Sequence, residues 1–250
     1  MENNPLTITN LLVEGKGKRL YATDSPEEAV VYYRDETYAF HGLKRGRIVG
    51  KSEINNRICE HIFTMLTRNG VPNHFIRRID NRCSLVHRVE MIPITVKVRN
   101  IVAGSLTNRI GYPSGTKLKN TVIEYCLKDR ELDESIVNVS HITAMNIATR
   151  EEMDRINTLS LQVNEVLSEC MRDIQIELID FKLEFGRFHG EILLADEISP
   201  DTCRFWDEKT HEPLDIDRFR HNLGSVEEGY REVLHRLTGN AFKHSEIAEE

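Results

Sequence analysis

The sequence predicts an α+β fold in two parts that enclose a cleft, a strand-rich part over residues 1–90 and a mixed part over residues 91–250. Three observations support this fold class. Apolar and polar residues alternate along residues 178–185, as in a β-strand with one covered face. Apolar residues recur at helical spacing after Ser52 and again after Thr149. No internal repeat or low-complexity run divides the chain further.

Residues 11–33 predict three strands, because two turn signals interrupt an otherwise strand-like stretch. These signals are a Gly/Lys loop at 15–18 and a turn at 24–26. A helix is then expected from Ser52, as its N-cap, to Gly70, because isoleucines recur every four residues between them.

The later elements follow from the same kinds of signal. In chain order they are strands at 84–89 and 94–98 around a hinge at 90–93, a loop-rich stretch at 100–140, a helix that begins with a capping box at Thr149 and Glu152, a hairpin at 178–198, and a helix from Ser225 to Gly239 before a polar tail.

The hairpin at 178–198 is the strongest functional signal. Three polar residues alternate on one face of its first strand: Asp180, Lys182 and Glu184. A turn at 186–190 would pair Phe185 with Glu191, so that Asp196 lies on the polar face directly opposite Asp180. Carboxylates and a lysine on one face suit a divalent cation and the phosphates it carries.

Two interpretations of this polar face remain open. Most alternating strands simply expose such a face to water. Against this, Asp is a poor strand former, and the second strand is apolar on both faces at 192–195, which indicates a covered hairpin. We therefore predict a metal–nucleotide site on this face, with Asp180, Glu184 and Asp196 as candidate ligands; the register alone leaves open whether Asp180 or Glu184 accompanies Asp196.

The loop EGKGKRLY, from Glu14 to Tyr21, is the second signal. Two glycines permit a tight turn close to a ligand and two lysines bring positive charge to it: Gly15, Lys16, Gly17 and Lys18. The spacing is not that of a P-loop, but a Gly-rich turn between strands can cover nucleotide phosphates. Met91 lies in the hinge where adenine would contact backbone groups, although a plain connector explains that segment equally well.

The segment VRNIVAGSLTNRIGYPSG, residues 98–115, is the third signal. Arg99, Ser105 and Arg109 surround a small-residue turn at 103–104 that could present N–H groups to an anion. Arg204 and Arg220 follow the hairpin. Each arginine alone is more often solvated than functional, but together they indicate a substrate that bears phosphate or carboxylate groups.

Composition excludes several classes of function. A net charge of −7 argues against a nucleic-acid surface as the main function. Five cysteines occur singly, without a CxxC pair, which is typical of a reducing cytosol. We find no HExxH motif, signal peptide or membrane-length apolar run, and therefore expect a cytoplasmic protein.

Four strings, EGKGKRLY, VRNIVAGSL, IDFKLEFG and LADEISPDTCRFWD, resemble those of the phosphoribosylaminoimidazole-succinocarboxamide synthase (SAICAR synthetase) family over about residues 11–238. The resemblance implies an ATP-grasp-like fold and an ATP- and Mg2+-dependent ligase of de novo purine biosynthesis. Such an enzyme joins the carboxylate of carboxyaminoimidazole ribonucleotide to the amine of L-aspartate through an acyl phosphate, giving SAICAR, ADP and phosphate. A homodimer is expected.

The resemblance also implies roles for individual residues. The implied catalytic cations are Lys16, Lys18 and Lys182. The implied ATP-binding residues are Gly15, Lys16, Gly17, Lys18, Met91, Lys182 and Glu184. The implied ribonucleotide-binding residues are Arg99, Ser105, Lys128, Arg204 and Arg220. Glu184 and Asp196 fall at the family's magnesium site, and the polar face of the hairpin adds Asp180 as a third candidate.

The sequence departs from the family pattern at two places. Arg130 stands where relatives carry an acid and Glu134-Ser135 where they carry Asp-Pro, while Ser52 replaces a glycine. The first change raises one rival, a nucleotide-binding paralogue that has lost the aspartate chemistry. A kinase-like phosphotransferase is another rival, although the chain lacks the HRD-type catalytic loop of protein kinases.

Overall fold

The computed structural model describes residues 7–39, 42–128 and 135–245. The elements, in chain order, are β1 (Ile8–Glu14), β2 (Lys18–Thr23), β3 (Glu28–Tyr33), β4 (Glu36–Ala39), β5 (Lys44–Arg47), α1 (Lys51–Arg68), β6 (Phe75–Arg78), β7 (Cys83–His87), β8 (Glu90–Met91), β9 (Ile94–Ile101), α2 (Ser105–Ile110), β10 (Lys117–Leu127), β11 (Ile136–Val137), α3 (Val139–Ala144), α4 (Arg150–Asp173), β12 (Ile176–Phe188), β13 (Glu191–Ala195), β14 (Cys203–Asp207), α5 (Asp217–Arg220) and α6 (Val226–Ser245).

An antiparallel sheet in the order β1-β2-β3-β7-β6 is built from the first part of the chain. Its inner face, through Ala29, Val31, Tyr33 and Val86, contributes to the same core as α1. The three strands predicted within residues 11–33 are confirmed, and the Gly/Lys loop joins β1 to β2. The loop therefore lies at one end of this sheet, where the two strands turn.

The second sheet is organised around β12, which pairs with four other strands. Its order is β11-β10-β9-β12-β13, and β14 and β8 also pair with β12. The strand β10 falls in the stretch that we predicted to be mainly loop, and that prediction is wrong. Its sequence, KLKNTVIEYCL, places polar residues on both faces of its first half, so it lacks the alternation by which strands are predicted.

The two faces of β12 have different roles. Phe181, Leu183 and Phe185 are fully buried in the core, whereas Asp180, Lys182 and Glu184 alternate with them on the opposite face. Ile179 does not continue the core row. A bulge against β14 at this point shifts the register, and Ile179 packs in a small separate cluster with Ile101, Ala103 and Trp206.

The predicted register of the hairpin is wrong. Phe188, not Phe185, pairs with Glu191, and the turn consists of only His189 and Gly190, both at positive φ. Asp180 therefore does not lie opposite Asp196, which instead follows Ala195, the partner of Glu184.

Gly186, which suggested an earlier turn, lies within β12. A Cβ at this position would approach Val89 Cγ2 to 2.4 Å, because the β8 segment crosses there. The glycine thus marks a close approach of two backbones rather than a turn.

The helices confirm some of the predicted ends and correct others. The capping box at the start of α4 is present, with Thr149 Oγ1 accepting from Glu152 N at 3.2 Å. Gly50, not Ser52, is the N-cap of α1, and Ser52 lies inside the first turn, where its hydroxyl donates to buried Asp35 at 2.6 Å. α6 passes through Gly239 and ends at Ser245, because a single glycine weakens a helix without having to end it.

No helix within the described residues is both long and apolar enough to cross a lipid bilayer. The five cysteines are free thiols.

The end of β14 is joined to α6 by an ion pair that should make stability depend on pH. Asp207 accepts from Arg236 Nη2 at 2.6 Å and from the backbone N–H groups of Lys209 and Thr210. Burial opposes ionisation, but these donors lower the pKa of Asp207 to about 2. A lowered folded-state pKa stabilises the fold above the unfolded-state value and loses that effect as pH falls towards 2.

We therefore predict that Asp207→Asn lowers the free energy of unfolding at pH 7 by on the order of 1 kcal/mol, a modest value because solvent screens the pair. The difference from the native protein should shrink markedly at pH 3, since Asp207 loses part of its advantage there. Urea unfolding at both pH values measures this, and an equal difference at pH 7 and pH 3 would contradict the assignment.

Candidate active site

The structure brings seven of the predicted site residues together in one cleft of about 470 Å³. They are Lys16, Arg99, Ser105, Asp180, Lys182, Arg204 and Arg220. One wall of the cleft is the polar face of β12 with the neighbouring strands β9 and β14, and α5 supplies Arg220. The alternation of β9 and β12 thus places charged side chains on one surface while their neighbours fill the core.

An alternating ion-pair network runs along this wall. Buried Asp180 accepts from Arg99 Nη1 and from Arg204 Nη1, each at 2.8 Å. Arg204 Nε donates to Asp217 at 2.7 Å, and Asp217 also accepts from Arg220 at 2.6 Å. At the other end, Glu124 accepts from Arg99 and Arg109. We call this the arginine network.

The arginine network carries net positive charge, because four arginines share three carboxylates. Burial alone would lower the pKa of Arg204, but Asp180 and Asp217 raise it above its ordinary value. Burial would likewise raise the pKa of Asp217, but Arg204 and Arg220 hold it below its usual range. Arg204 and Asp217 are therefore ionised at neutral pH, and the excess of guanidinium groups over carboxylates favours an anionic ligand.

Lys18 holds two adjacent carboxylates at the end of β13. Its Nζ lies 2.5 Å from Asp196 Oδ1 and 2.9 Å from Glu197 Oε1. Burial raises the pKa of Glu197, whereas Lys18 outweighs burial at Asp196 and lowers the pKa of that carboxyl. A single ammonium group thus lies within ion-pair distance of two carboxyl groups, so the cluster formed by Lys18, Asp196 and Glu197 is negative when both carboxyl groups are ionised.

Glu184 borders this cluster, because it pairs in register with Ala195, the residue before Asp196. Lys128 forms an ion pair with Glu184. Burial, followed by the neighbouring Asp196 carboxylate, raises the pKa of Glu184. A cation beside these two carboxylates would reverse that shift by favouring the ionised form.

The Gly/Lys loop rests on a second buried ion pair. Lys51 is 2% exposed, and its Nζ lies 2.6 Å from Asp201 Oδ2. Tyr230, from α6, donates to Asp201 Oδ1 at 2.6 Å, and Asn55 Nδ2 donates to Oδ2 at 3.1 Å. A Cβ on Gly17 would lie 3.5 Å from Lys51 Nζ, so the loop passes directly over this pair. Among the described residues, Asn55 Oδ1 is a buried side-chain oxygen that accepts no hydrogen bond.

The predicted residues fall into two adjoining groups. Arg99, Ser105, Arg204 and Arg220 lie around Asp180, which is held by arginines and is not next to Asp196 as predicted. The second group contains Lys18, Lys128, Glu184 and Asp196. Met91 is 39% exposed and pairs with Gly186, two residues along β12 from Glu184. Arg130 and Glu134 lie outside the described residues, so their predicted effects stay predictions.

Several residues of the site were missed in the sequence. They are Lys51, Lys97, Glu124, Glu197, Asp201 and Asp217. Lys97 could have been found from the alternation of β9, since it lies two residues before Arg99 and pairs directly with Lys182. Lys51, Glu124 and Asp201 gave no comparable signal, because their partners are 15 to 150 residues away.

Comparison with known proteins gives consistent matches over nearly the whole chain. The family model described as SAICAR synthetase matches residues 11–237. The phosphoribosylaminoimidazole-succinocarboxamide synthase of Brevibacillus brevis is 51% identical over 230 residues, which cover 92% of this chain and 96% of the relative.

Solved structures agree with this chain in fold. The crystal structure of phosphoribosylaminoimidazole-succinocarboxamide synthase from Ehrlichia chaffeensis matches with a TM-score of 0.90 and 42% identity, over 92% of this chain and 98% of the other. A structure of SAICAR synthetase (Type-2) in complex with ADP matches with a TM-score of 0.89 and 39% identity, over 91% and 97%.

The geometry around Arg204 yields a test that uses stability alone. Gly104 precedes α2 at φ +54°, and a Cβ there would lie 2.6 Å from Arg204 Nη2. Gly111, at the other end of α2, also has positive φ but faces open space. Gly111→Ala should therefore cost about 1 kcal/mol for its backbone alone. Gly104→Ala should cost about 1–3 kcal/mol more, because the arginine is fixed by two carboxylates and cannot move freely. Urea unfolding of both variants measures the difference, and equal losses would show that Arg204 is free to move.

Proposed function

Because this chain belongs to the SAICAR synthetase family and is an ATP-dependent ligase, we propose that the cleft joins the carboxylate of carboxyaminoimidazole ribonucleotide to the amine of L-aspartate. The arginine network would hold the ribonucleotide, through Arg99, Ser105, Arg204 and Arg220, and Lys128 would contribute from the adjoining edge. The ATP phosphates would lie against the Gly/Lys loop, Lys182 and the Glu184 region.

One observation carries this proposal, namely that a single face of β12 carries a member of each group, Asp180 and Glu184. Asp180, which anchors the arginine network, lies four residues from Glu184 along β12, a separation of roughly 13 Å in an extended strand. Lys182 lies between them and pairs with Lys97 from β9. Two cations thus stand at the junction where a phosphate from one group would meet a carboxylate from the other.

The side chains at the nucleotide end fit a magnesium ion, which we propose as the partner of ATP. Glu184 and Asp196 are adjacent carboxylates, and Mg2+ is usually bound by one or two carboxylates together with substrate phosphates and water. Among the described residues no cluster of three or more His, Cys, Asp or Glu side chains could hold a metal, so substrate phosphates and water would complete the coordination of the ion. When bound, the ion would supply positive charge to the β- and γ-phosphates.

The reaction that we propose has two steps. A carboxylate oxygen of the ribonucleotide attacks the γ-phosphorus while the bond to ADP breaks, giving an acyl phosphate. The aspartate amine then attacks the acyl carbon, phosphate leaves, and the amine loses a proton. Lys16, Lys18 and Lys182 would offset the charge that spreads over the transferred phosphoryl group, and the arginine network would fix the ribonucleotide for attack.

Four further assignments belong to this proposal. We assign the chain an ATP-grasp-like arrangement in which a part over residues 1–90 and a part over 91–250 face each other across the cleft, because the five-stranded sheet comes from the first part and the seven-stranded sheet, except for Glu90 of β8, comes from the second. The five free thiols support a cytoplasmic location. We propose that the protein forms a homodimer, as the family resemblance implies. Asp180 is reassigned from the metal to the arginine network.

The function can be tested by the release of ADP in a coupled assay. We expect ADP release to require both the ribonucleotide and L-aspartate. Release without aspartate would indicate a phosphotransferase, and no release would indicate a nucleotide-binding protein.

The same assay tests the metal assignment. Asp196→Asn should reduce turnover by about a hundredfold or more, because it removes a charged ligand of the cation. Glu191→Gln is the matched control, since Glu191 is exposed on the same strand, β13, and should retain normal turnover. Near-normal activity of a folded Asp196→Asn protein would contradict the assignment.

Lys18 should matter more to the rate than to nucleotide binding. We predict that Lys18→Met lowers kcat by on the order of a hundredfold and raises the KM for ATP only a few-fold, because the charge is needed most as the phosphoryl group is transferred. Arg19→Met is the control, since Arg19 is the next residue on β2 and pairs instead with exposed Glu14. Equal effects on kcat and KM would indicate ground-state binding alone.

A further inference from the structure

Asp196 has a backbone conformation that the surrounding structure must maintain. Its φ is +62°, in the left-handed region that residues other than glycine seldom adopt. Such a conformation is unfavourable for a residue with a side chain, and it persists only where neighbouring groups hold it. Lys18 holds the carboxylate of Asp196, but a salt bridge at the end of the side chain does not determine the direction of the peptide group.

The backbone before Asp196 is fixed by the segment that leads into β6. Leu194 N donates to Pro72 O at 3.0 Å, and His74 N donates to Leu194 O at 2.9 Å, so residues 72–74 run alongside β13. This segment is joined in turn to α1. Asn73 Nδ2 donates to Thr67 Oγ1 at 2.9 Å, and Asn73 Oδ1 accepts from Phe75 N.

His74 reaches past this backbone pairing to Asp196 itself. Its Nε2 lies 3.1 Å from the backbone oxygen of Asp196. Because a carbonyl oxygen can only accept, Nε2 must carry the proton that it donates. The ring is 6% exposed and is packed edge-on against Phe63, with ring centroids 5.3 Å apart. Packing thus leaves the imidazole little freedom to move from the carbonyl.

We propose that His74 is a positioning residue for Asp196: its N–H fixes the Asp196 peptide at positive φ and thereby directs the carboxylate towards Glu184 and the magnesium–nucleotide position. The inference rests on the proposed metal site. His74 does not touch the nucleotide, the metal or the substrates; it acts through the backbone of the residue that would bind the metal. Partners of this kind commonly change metal affinity by about 10–100-fold when they are removed.

The test compares three substitutions in the full-length protein. His74→Leu fills similar space without a donor, His74→Gln keeps an amide N–H at comparable reach, and His74→Asn keeps the amide but is too short to reach the carbonyl. His61→Leu is the control, because His61 is a half-buried histidine of α1 that lines a different groove. Thermal melting identifies the variants that fold.

The readout is ADP affinity measured by calorimetry with and without MgCl2. We expect the gain in affinity that magnesium gives to fall about tenfold in His74→Leu and His74→Asn, while affinity for ADP without magnesium stays unchanged. His74→Gln and His61→Leu should retain the native gain. Turnover should fall in parallel with the magnesium-dependent gain, and added MgCl2 should restore part of it.

Two results would overturn the inference. One is a native magnesium-dependent gain in a folded His74→Leu or His74→Asn protein. The other is an equal loss in His74→Gln, which would show that ring packing and not the hydrogen bond matters. If the native protein shows no magnesium-dependent gain, the inference fails together with the metal assignment, whereas aspartate-dependent ADP release independently decides the proposed function.

Discussion

The two-residue period of β12 is the constraint on which the rest of the structure depends. Because successive side chains of a strand point to opposite faces, the residues that fill the core and the residues that form the cleft are fixed by the same backbone. Phe181, Leu183 and Phe185 are almost wholly inaccessible to water, so any shift of the strand would cost the burial of three large side chains. The positions of Asp180, Lys182 and Glu184 are therefore determined by hydrophobic packing.

A second constraint is that charges taken out of water must be matched. The charges are matched differently in the arginine network and around Asp196. In the arginine network each carboxylate has two arginine partners, which leaves an excess of positive charge for an anionic substrate. Around Asp196 the carboxylates outnumber the ammonium groups, which leaves negative charge for a cation. The charge of each proposed ligand is thus complementary to the charge that the protein leaves unmatched.

The sequence predicted the residues of the site better than their arrangement. Periodicity identified β12 and its polar face, and glycines with lysines identified the loop above it. The predicted register of the hairpin was wrong, because Gly186 was read as a turn residue. It lies inside β12, where only a glycine leaves room for Val89. The ion pairs of Lys51 and Glu124 could not be predicted, because they join residues far apart in sequence: Lys51 begins α1 and meets Asp201, and Glu124 on β10 meets Arg99 on β9. Strand β10 was missed because the first half of its sequence has polar residues on both faces.

Because β12 pairs with four other strands, we expect the two walls of the site to differ in how readily their backbone hydrogen bonds open. Backbone N–H groups in the middle of such a strand exchange only when much of the sheet separates, so we expect this wall of the cleft to belong to a strongly protected unit of the fold. The Gly/Lys loop joins two strands at the rim and has exposed glycine and lysine residues at its tip. We therefore expect ligand entry and release to involve the loop, while the wall that carries Asp180 and Glu184 stays in place.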